Sequence, residues 1–366
     1  MYARSHRRDF KTKKILIIKL AAVGDVLRTT TILFGLKRSY PRSLITWITE
    51  KQAEDLLNIN NYIDRLLVYD FLTLERLKLE KFDILICLDK EKKATTLANQ
   101  VRADKKFGFG LDPKTGNVIP FNRESRYALK LGLSDDLKFR KNKKSYPQII
   151  FEMINLEYKN DEYILSISDN DIKYAQDLSD KMELEKNGLV IGVNTGAGSY
   201  FTNKAWTREG FIDLIRLIKA NSSARILLLG GPKEYQRNTF IISQVKDKVY
   251  DAGCYHSLGQ FAAIINTCSL IVTGDTLALH IAIALKKLVV SIFGPTCDQE
   301  IELYGRGVKI ISPIDCRPCY KRHCEKEINC MNSIEAKDIF VGIRKVLLQN
   351  NLGFNLLFNK RESILS

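Results

Sequence analysis

The chain alternates short, uniformly apolar runs with longer segments of mixed polarity. Lys13–Leu20 (KKILIIKL) has the pattern of a strand buried on both faces. Val26–Arg38 follows as a helix-length segment. Leu44–Thr49, Arg65–Tyr69 and Phe82–Leu88 are the next predicted strands, with a short helix over Lys51–Asn58, and Lys105–Gly108 starts a fifth strand. Arg123–Leu131 and Tyr146–Leu156 read as helices, and Asp169–Met182 carries Ile172, Ala175, Leu178 and Met182 near helical spacing. The alternation then restarts. Leu189–Asn194, Arg225–Leu229, Leu270–Thr273 and Leu288–Phe293 are strands; Arg208–Lys219, Glu234–Val245, Leu277–Leu285 and a closing Glu335–Leu348 are helices.

Strands alternating with helical connections imply a parallel sheet covered on both faces. The restart implies two consecutive α/β units. The expected boundaries are 1–165 for a first Rossmann-like domain, 166–187 for a linker with a helix, 188–333 for a second Rossmann-like domain, and 334–366 for a closing helix and tail. Two facing units of this kind with a cleft between them fit GT-B glycosyltransferases, periplasmic-type binding proteins and some epimerases, and fold alone does not choose.

Composition narrows the class. Of 366 residues, 45% are hydrophobic and 27% charged, which rules out disorder as the dominant state. No apolar run reaches the roughly 18–20 residues of a membrane span. The polar, basic stretch before Ile15 lacks the apolar core of a signal peptide, so a cytoplasmic protein is expected. Lys and Arg outnumber Asp and Glu by 57 to 42, a formal +15. That excess favours an anionic partner: nucleic acid, a phosphorylated sugar or an anionic membrane surface. Two clusters carry much of it: Arg4, Arg7, Arg8, Lys11, Lys13 and Lys14, then Lys138, Arg140, Lys141, Lys143 and Lys144.

The candidate chemistry lies at predicted strand ends, where ligands bind in open α/β sheets. After the first strand comes Ala21-Ala22-Val23-Gly24-Asp25. One glycine does not make a dinucleotide fingerprint, so NAD and FAD are excluded there. Asp25 either caps the helix or faces the cleft as a general base. Asn194-Thr195-Gly196-Ala197-Gly198-Ser199 follows the strand that opens the second half, and its small residues let backbone N–H groups approach a phosphate. Lys204 is a point-charge partner for a diphosphate. Three more turns follow strands: Leu229-Gly230-Gly231-Pro232, Thr273-Gly274-Asp275-Thr276 leading to His280, and Phe293-Gly294-Pro295-Thr296. Four loops rich in Gly, Thr or Asp at the strand ends of one half reinforce one another.

In order, VGDVLRTT, NTGAG with KAW, LLLGGP, TGDTLALH and SIFGPT resemble the heptosyltransferases of glycosyltransferase family 9, over roughly residues 13–348. The resemblance implies a GT-B fold with an acceptor-binding N-terminal domain and a C-terminal domain that binds an ADP-sugar. It implies inverting transfer without an obligatory catalytic metal or other cofactor. Asp25 falls on the family's proposed general base and Thr195 and Lys204 on donor phosphate contacts, with Gly196, Gly230 and Gly231 as further donor-binding candidates from their strand-end turns. Asp275, Thr276 and His280 fall on the donor-site motif, which Gly294, Pro295 and Thr296 close. Leu277 departs from the family's Asp-Thr-Gly at that point, which bears on donor selectivity.

The implied partners are an ADP-heptose donor, the lipopolysaccharide inner core or a similar anionic glycan as acceptor, and the cytoplasmic face of the inner membrane. Lys138, Arg140, Lys141, Lys143 and Lys144 serve there as an acceptor or membrane patch. A family-9 enzyme acting on a protein or another surface glycan is the alternative. A nucleic-acid-binding protein is a further one, but the basic runs lack interleaved aromatic residues, so no nucleic-acid partner is expected. Cys316, Cys319, Cys324 and Cys330 form a candidate structural zinc or iron site, with free thiols as the competing reading. The surrounding CRPCYKRHCEKEINCM also resembles a segment found in part of the same family.

Overall fold

The computed structural model describes residues 12–184, 188–198 and 202–352. They form two compact units. The first takes the described residues through Asp135 and then Tyr146–Ile164; the second takes Asp136–Ser145 and the described residues from Leu165 onward.

In chain order the first unit contains β1 (Lys14–Ile18), α1 (Val23–Thr29), α2 (Ile32–Ser39), β2 (Leu44–Thr49), β3 (Arg65–Val68), α3 (Phe71–Leu79), β4 (Lys81–Cys87), α4 (Lys92–Gln100), β5 (Arg102–Leu111), β6 (Val118–Pro120), α5 (Ser125–Leu131) and α6 (Tyr146–Met153). The sheet runs β3-β2-β1-β4-β5-β6 and is parallel except for the β5–β6 pair. Helices cover both faces, so after its opening Lys14 β1 is apolar and Ile15–Ile18 are fully buried. Leu16 and Ile18 meet Leu85, Leu97 and Leu20 in the core. The chain turns from one side of the sheet to the other between β1 and β4, which makes that crevice the unit's switch point.

The single helix expected over Val26–Arg38 is two helices. Three successive threonines break it. Thr29 Oγ1 donates back to Asp25 O at 2.6 Å and Thr30 Oγ1 to Leu27 O at 2.7 Å. Thr30 Oγ1 also accepts from Ile164 N, and Thr31 Oγ1 donates to Asp161 O. β-branched hydroxyl side chains compete with the helical ladder, and here they tie its broken end to the returning chain.

The second unit contains α7 (Asp169–Lys181), β7 (Val190–Asn194), α8 (Arg208–Asn221), β8 (Arg225–Leu229), α9 (Tyr235–Gln244), β9 (Tyr250–Asp251), α10 (Leu258–Thr267), β10 (Leu270–Gly274), α11 (Leu277–Ala284), β11 (Leu288–Phe293), β12 (Gly307–Ile311) and α12 (Ala336–Gln349). Its parallel sheet runs β12-β11-β10-β7-β8-β9, with the switch point between β7 and β10. Val193, Ile226, Val272 and Ile292 join Phe211, Ile215, Ile339 and Ile343 from α8 and α12 in one core. Two doubly wound units in one chain are the GT-B architecture.

The helix expected within the 166–187 linker forms as α7, which Ser168 caps and which packs on α10 within the second unit. One boundary differs from that read in the sequence. Residues 136–145, expected in the first domain, belong to the second unit. Phe139 stacks on Tyr320 with centroids 5.5 Å apart, and the Lys138 ammonium lies 3.8 Å from the same ring's centroid. Gln299 Nε2 donates to Lys138 O at 3.0 Å. Of the N-terminal basic cluster, Arg4, Arg7, Arg8 and Lys11 lie outside the described residues, as does Ser199; Lys13 pairs with Asp83 at 3.0 Å. Among the described residues no helix is long and apolar enough to cross a membrane.

Candidate active site

In the second unit the predicted loops gather at the carboxyl edge of the sheet, around its switch point. β7 ends in Asn194, whose side-chain amide donates to Thr273 Oγ1 at 3.1 Å and Thr276 Oγ1 at 3.3 Å, spanning the β7–β10 crevice. The two hydroxyls are themselves 3.1 Å apart. Thr195, next in the chain, donates to Asn238 Oδ1 on α9 at 2.6 Å, and its carbonyl accepts from Arg237 at 2.7 Å.

Lys204 follows the loop in a short 3₁₀ turn. Its ammonium donates to Asp275 O at 2.6 Å and lies 3.7 Å from the Asp275 carboxylate. Both side chains keep 16–20% of their surface exposed, so the cation is held in place and still reachable. Thr276 is the N-cap of α11, Leu277 opens that helix half-buried, and His280 is buried one turn on.

Gly230 and Gly231 close β8. A side chain at Gly230 would come within 2.6 Å of Glu234 Cβ, and Gly231 N donates to Glu234 Oε2 at 3.0 Å. Glu234 also lies against Gly196, so the two glycine loops share one carboxylate. Gly294 opens the turn after β11, where a Cβ would meet Met331 Sδ at 2.4 Å and Cys330 Sγ at 2.9 Å. Pro295 O accepts from Cys319 N and Tyr320 N. Thr296 is buried and its hydroxyl has no hydrogen-bond partner among the described residues.

The four clustered cysteines, a candidate metal site from their spacing, are free thiols in the structure. Cys316 and Cys324 are exposed and Cys330 is buried. Among the described residues no three His, Cys, Asp or Glu side chains come together as metal ligands. Cys330 lies in the second unit's core against Gly294. Burial, with the neighbouring Cys319, Cys324 and Cys316 adding to it, pushes its thiol up to about 11. The segment closes over the Gly294-Pro295-Thr296 turn. Tyr320 OH accepts from Cys297 N at 3.2 Å, and Lys321 O accepts from Asn203 at 2.6 Å.

The basic run is split by its surroundings. Lys138 lies on Tyr320, and Lys141 pairs with Asp136 at 2.5 Å. Lys144 N donates to Asn142 Oδ1, while Arg140 and Lys143 are exposed.

In the first unit, Asp25 lies on α1 immediately after β1, with its side chain 37% exposed. It pairs with Arg28 at 2.8 Å. The Arg28 guanidinium lies 3.7 Å from the centroid of the Tyr146 ring, and Tyr146 OH is 2.8 Å from Thr29 Oγ1. Below this layer Lys19 and Asp89 form a buried ion pair at 3.0 Å, at the ends of β1 and β4.

The spacing argument missed Glu234, Arg237 and Asn238, and also Lys19 and Asp89. The last two carried a signal: each is a charge that directly follows an apolar run, in ILIIKL and ILICLD. A charge buried there needs a partner, and the adjacent strand end supplies it.

Comparison with known proteins gives this arrangement a family. The model of glycosyltransferase family 9 (heptosyltransferase) matches residues 73–329. Lipopolysaccharide heptosyltransferase 1 of Campylobacter coli is 23% identical over 356 residues, covering 91% of this chain and 98% of its own. A family 9 glycosyltransferase from Veillonella parvula superposes with a TM-score of 0.75 at 20% identity, over 92% of this chain and 97% of that one. The E. coli heptosyltransferase WaaC, solved with ADP, superposes with a TM-score of 0.57 at 18% identity, over 94% and 99%. The family match spans well over half of the chain and includes the donor-side loops, so the chain belongs to glycosyltransferase family 9, the heptosyltransferases, and is a glycosyltransferase.

Proposed function

We propose that this enzyme transfers heptose from an ADP-heptose to the inner core of lipopolysaccharide, with inversion at the anomeric carbon. The carrying observation is Lys204, fixed on Asp275 beside the Asn194–Thr273–Thr276 cluster at the β7–β10 switch point. Such an edge suits the diphosphate of a nucleotide-sugar. The similarity to the Campylobacter coli lipopolysaccharide heptosyltransferase supports the sugar and the acceptor, and the ADP complex of WaaC supports the nucleotide.

In this reading an acceptor hydroxyl attacks the anomeric carbon and gives its proton to Asp25. The bond from that carbon to the diphosphate oxygen breaks, and ADP leaves with the electron pair. Lys204 and the amides opening α11 stabilise the charge that develops on the diphosphate. Thr195, Gly196, Gly230, Gly231, Asp275, Thr276, His280, Gly294, Pro295 and Thr296 shape the donor site around it. Arg140 and Lys143 offer their exposed charge to an anionic acceptor or to the cytoplasmic membrane surface where it resides.

A transfer assay over ADP-, UDP- and GDP-sugars tests this reading, and the half-buried Leu277 at the start of α11 makes the range worth covering. Turnover confined to ADP-heptose with a heptose-free core acceptor supports it. Turnover of a UDP- or GDP-sugar in preference contradicts it.

A further inference from the structure

Asp25 stands on a turn that has little regular structure of its own. Between the end of β1 and the start of α1 lie only residues 19–22. Their backbone groups are claimed by two buried charges. Asp89, just beyond β4, accepts from Leu20 N at 2.6 Å and Ala21 N at 3.3 Å through one carboxylate oxygen, and its other oxygen binds the Lys19 ammonium at 3.0 Å. Lys19 in turn donates to Ala21 O. Trp47 Nε1 on β2 donates to Lys19 O at 3.4 Å. Lys19 is 4% and Asp89 6% exposed. A buried ion pair is costly to form and is weak evidence for stability alone. This one closes a ring of hydrogen bonds around the turn that carries Asp25.

We propose that Lys19 and Asp89 are positioning residues for the Asp25 carboxylate: together they clamp the β1–α1 turn, and Lys19 sets a fixed positive charge near it. The inference rests on Asp25 being the base. Burial alone would pull the Lys19 ammonium down, but Tyr146, Asp89 and Asp25 more than offset it and hold its pKa above the usual value. By reciprocity Lys19 favours the ionised form of Asp25. The other titratable groups facing this layer are Arg28, paired with Asp25, Tyr146 on α6, and Cys87 on β4, whose thiol burial pushes up to about 12. Glu50 points its charge at Lys93 instead.

The two members of the pair act on Asp25 with opposite sign, which separates positioning from mere damage. Lys19→Gln keeps a donor for Asp89 but removes the charge, so the acid limb of the kcat/KM profile moves up by about one pH unit. Asp89→Asn removes a negative charge and leaves Lys19 in place, so the limb moves down. In both, kcat falls about tenfold or more, since misplacing a reacting group costs rate. The ADP dissociation constant measured by calorimetry stays unchanged in both. If one variant does not fold, the sign of the shift in the other decides. A folded variant with an unmoved limb, or two limbs moving the same way, overturns the inference. Asp25→Asn separates this from the underlying reading. If it keeps the acid limb, the base assignment itself fails; if it loses the limb while Lys19→Gln leaves the wild-type limb in place, only the pair is wrong.

Discussion

The side chain of Asn194 donates to the hydroxyl of Thr273 across 3.1 Å, from the end of β7 to the end of β10. These strands are neighbours in the sheet but lie 79 positions apart in the chain. A single amide therefore fixes the spacing of two loops exactly where the strand order reverses. With Thr276 also held, the hydroxyls of the β10 loop are oriented before any ligand arrives, and preorganised donors cost little to use.

In the proposed reading Lys204 is the cation offered to the donor diphosphate. Lys204→Ala is expected to weaken ADP binding by about 1.5–3 kcal/mol, the scale of a hydrogen bond to a charged group. Isothermal titration calorimetry checks this, and unchanged ADP affinity would remove Lys204 from the donor site.

Gly294 has no room for a methyl group, since Met331 Sδ would lie 2.4 Å away. Gly294→Ala is expected to destabilise the second unit by about 1–3 kcal/mol, the usual cost of overpacking. Met331→Ala in the same chain should recover part of that loss by vacating the space. A double-mutant cycle in urea reads the coupling, and strictly additive losses would contradict the contact.

Tyr320 holds residues 136–145 on the second unit, through its stack with Phe139 and the Lys138 ammonium over its ring. Tyr320→Ala should free the segment and speed trypsin cleavage after Arg140, Lys141 or Lys143 several-fold. Tyr320→Phe keeps the ring and should cleave at the wild-type rate. Equal rates in all three proteins would show that the ring does not hold the segment.

Two buried thiols set an alkaline limit on stability. Burial pushes Cys87 and Cys268 from 9.0 up to about 12 in the folded protein. Between those values the unfolded chain gives up the proton first, so their contribution is full below pH 9 and is lost as pH rises toward 12. Urea unfolding at pH 8 and pH 10.5 under reducing conditions should show the loss, and Cys268→Ala should flatten it. An identical pH slope in that variant would contradict the assignment.

How much of this was legible in the sequence follows from the kind of signal each feature leaves. The strands KILII, RILLL and LVVSIF were readable because both faces of each are buried, so apart from the opening Lys14 and Arg225 and the small Ser291 they are apolar. The turns at Asn194, Gly230, Thr273 and Gly294 were readable because they directly follow such strands. The Gly307–Ile311 strand was not, since it lies at the sheet edge and is only half-buried. Nor was the transfer of residues 136–145 to the second unit, which depends on a ring at position 320, far along the chain. The break at Thr29–Thr31 depends on hydroxyls finding Asp161 and Ile164, contacts that local propensity does not contain. Cysteine spacing marked out Cys316–Cys330 as a unit, but not that Cys330 packs against Gly294, a contact between segments distant in the chain.

The central claim is that Asp25 takes the proton of an acceptor hydroxyl as heptose leaves ADP. Its most direct test is a single-turnover transfer assay with ADP-heptose and a heptose-free core acceptor, comparing the wild-type enzyme with Asp25→Asn. The account predicts a rate lower by ~10²–10⁴, the range for loss of a general base, with ADP affinity unchanged. Transfer at the wild-type rate by Asp25→Asn would contradict it.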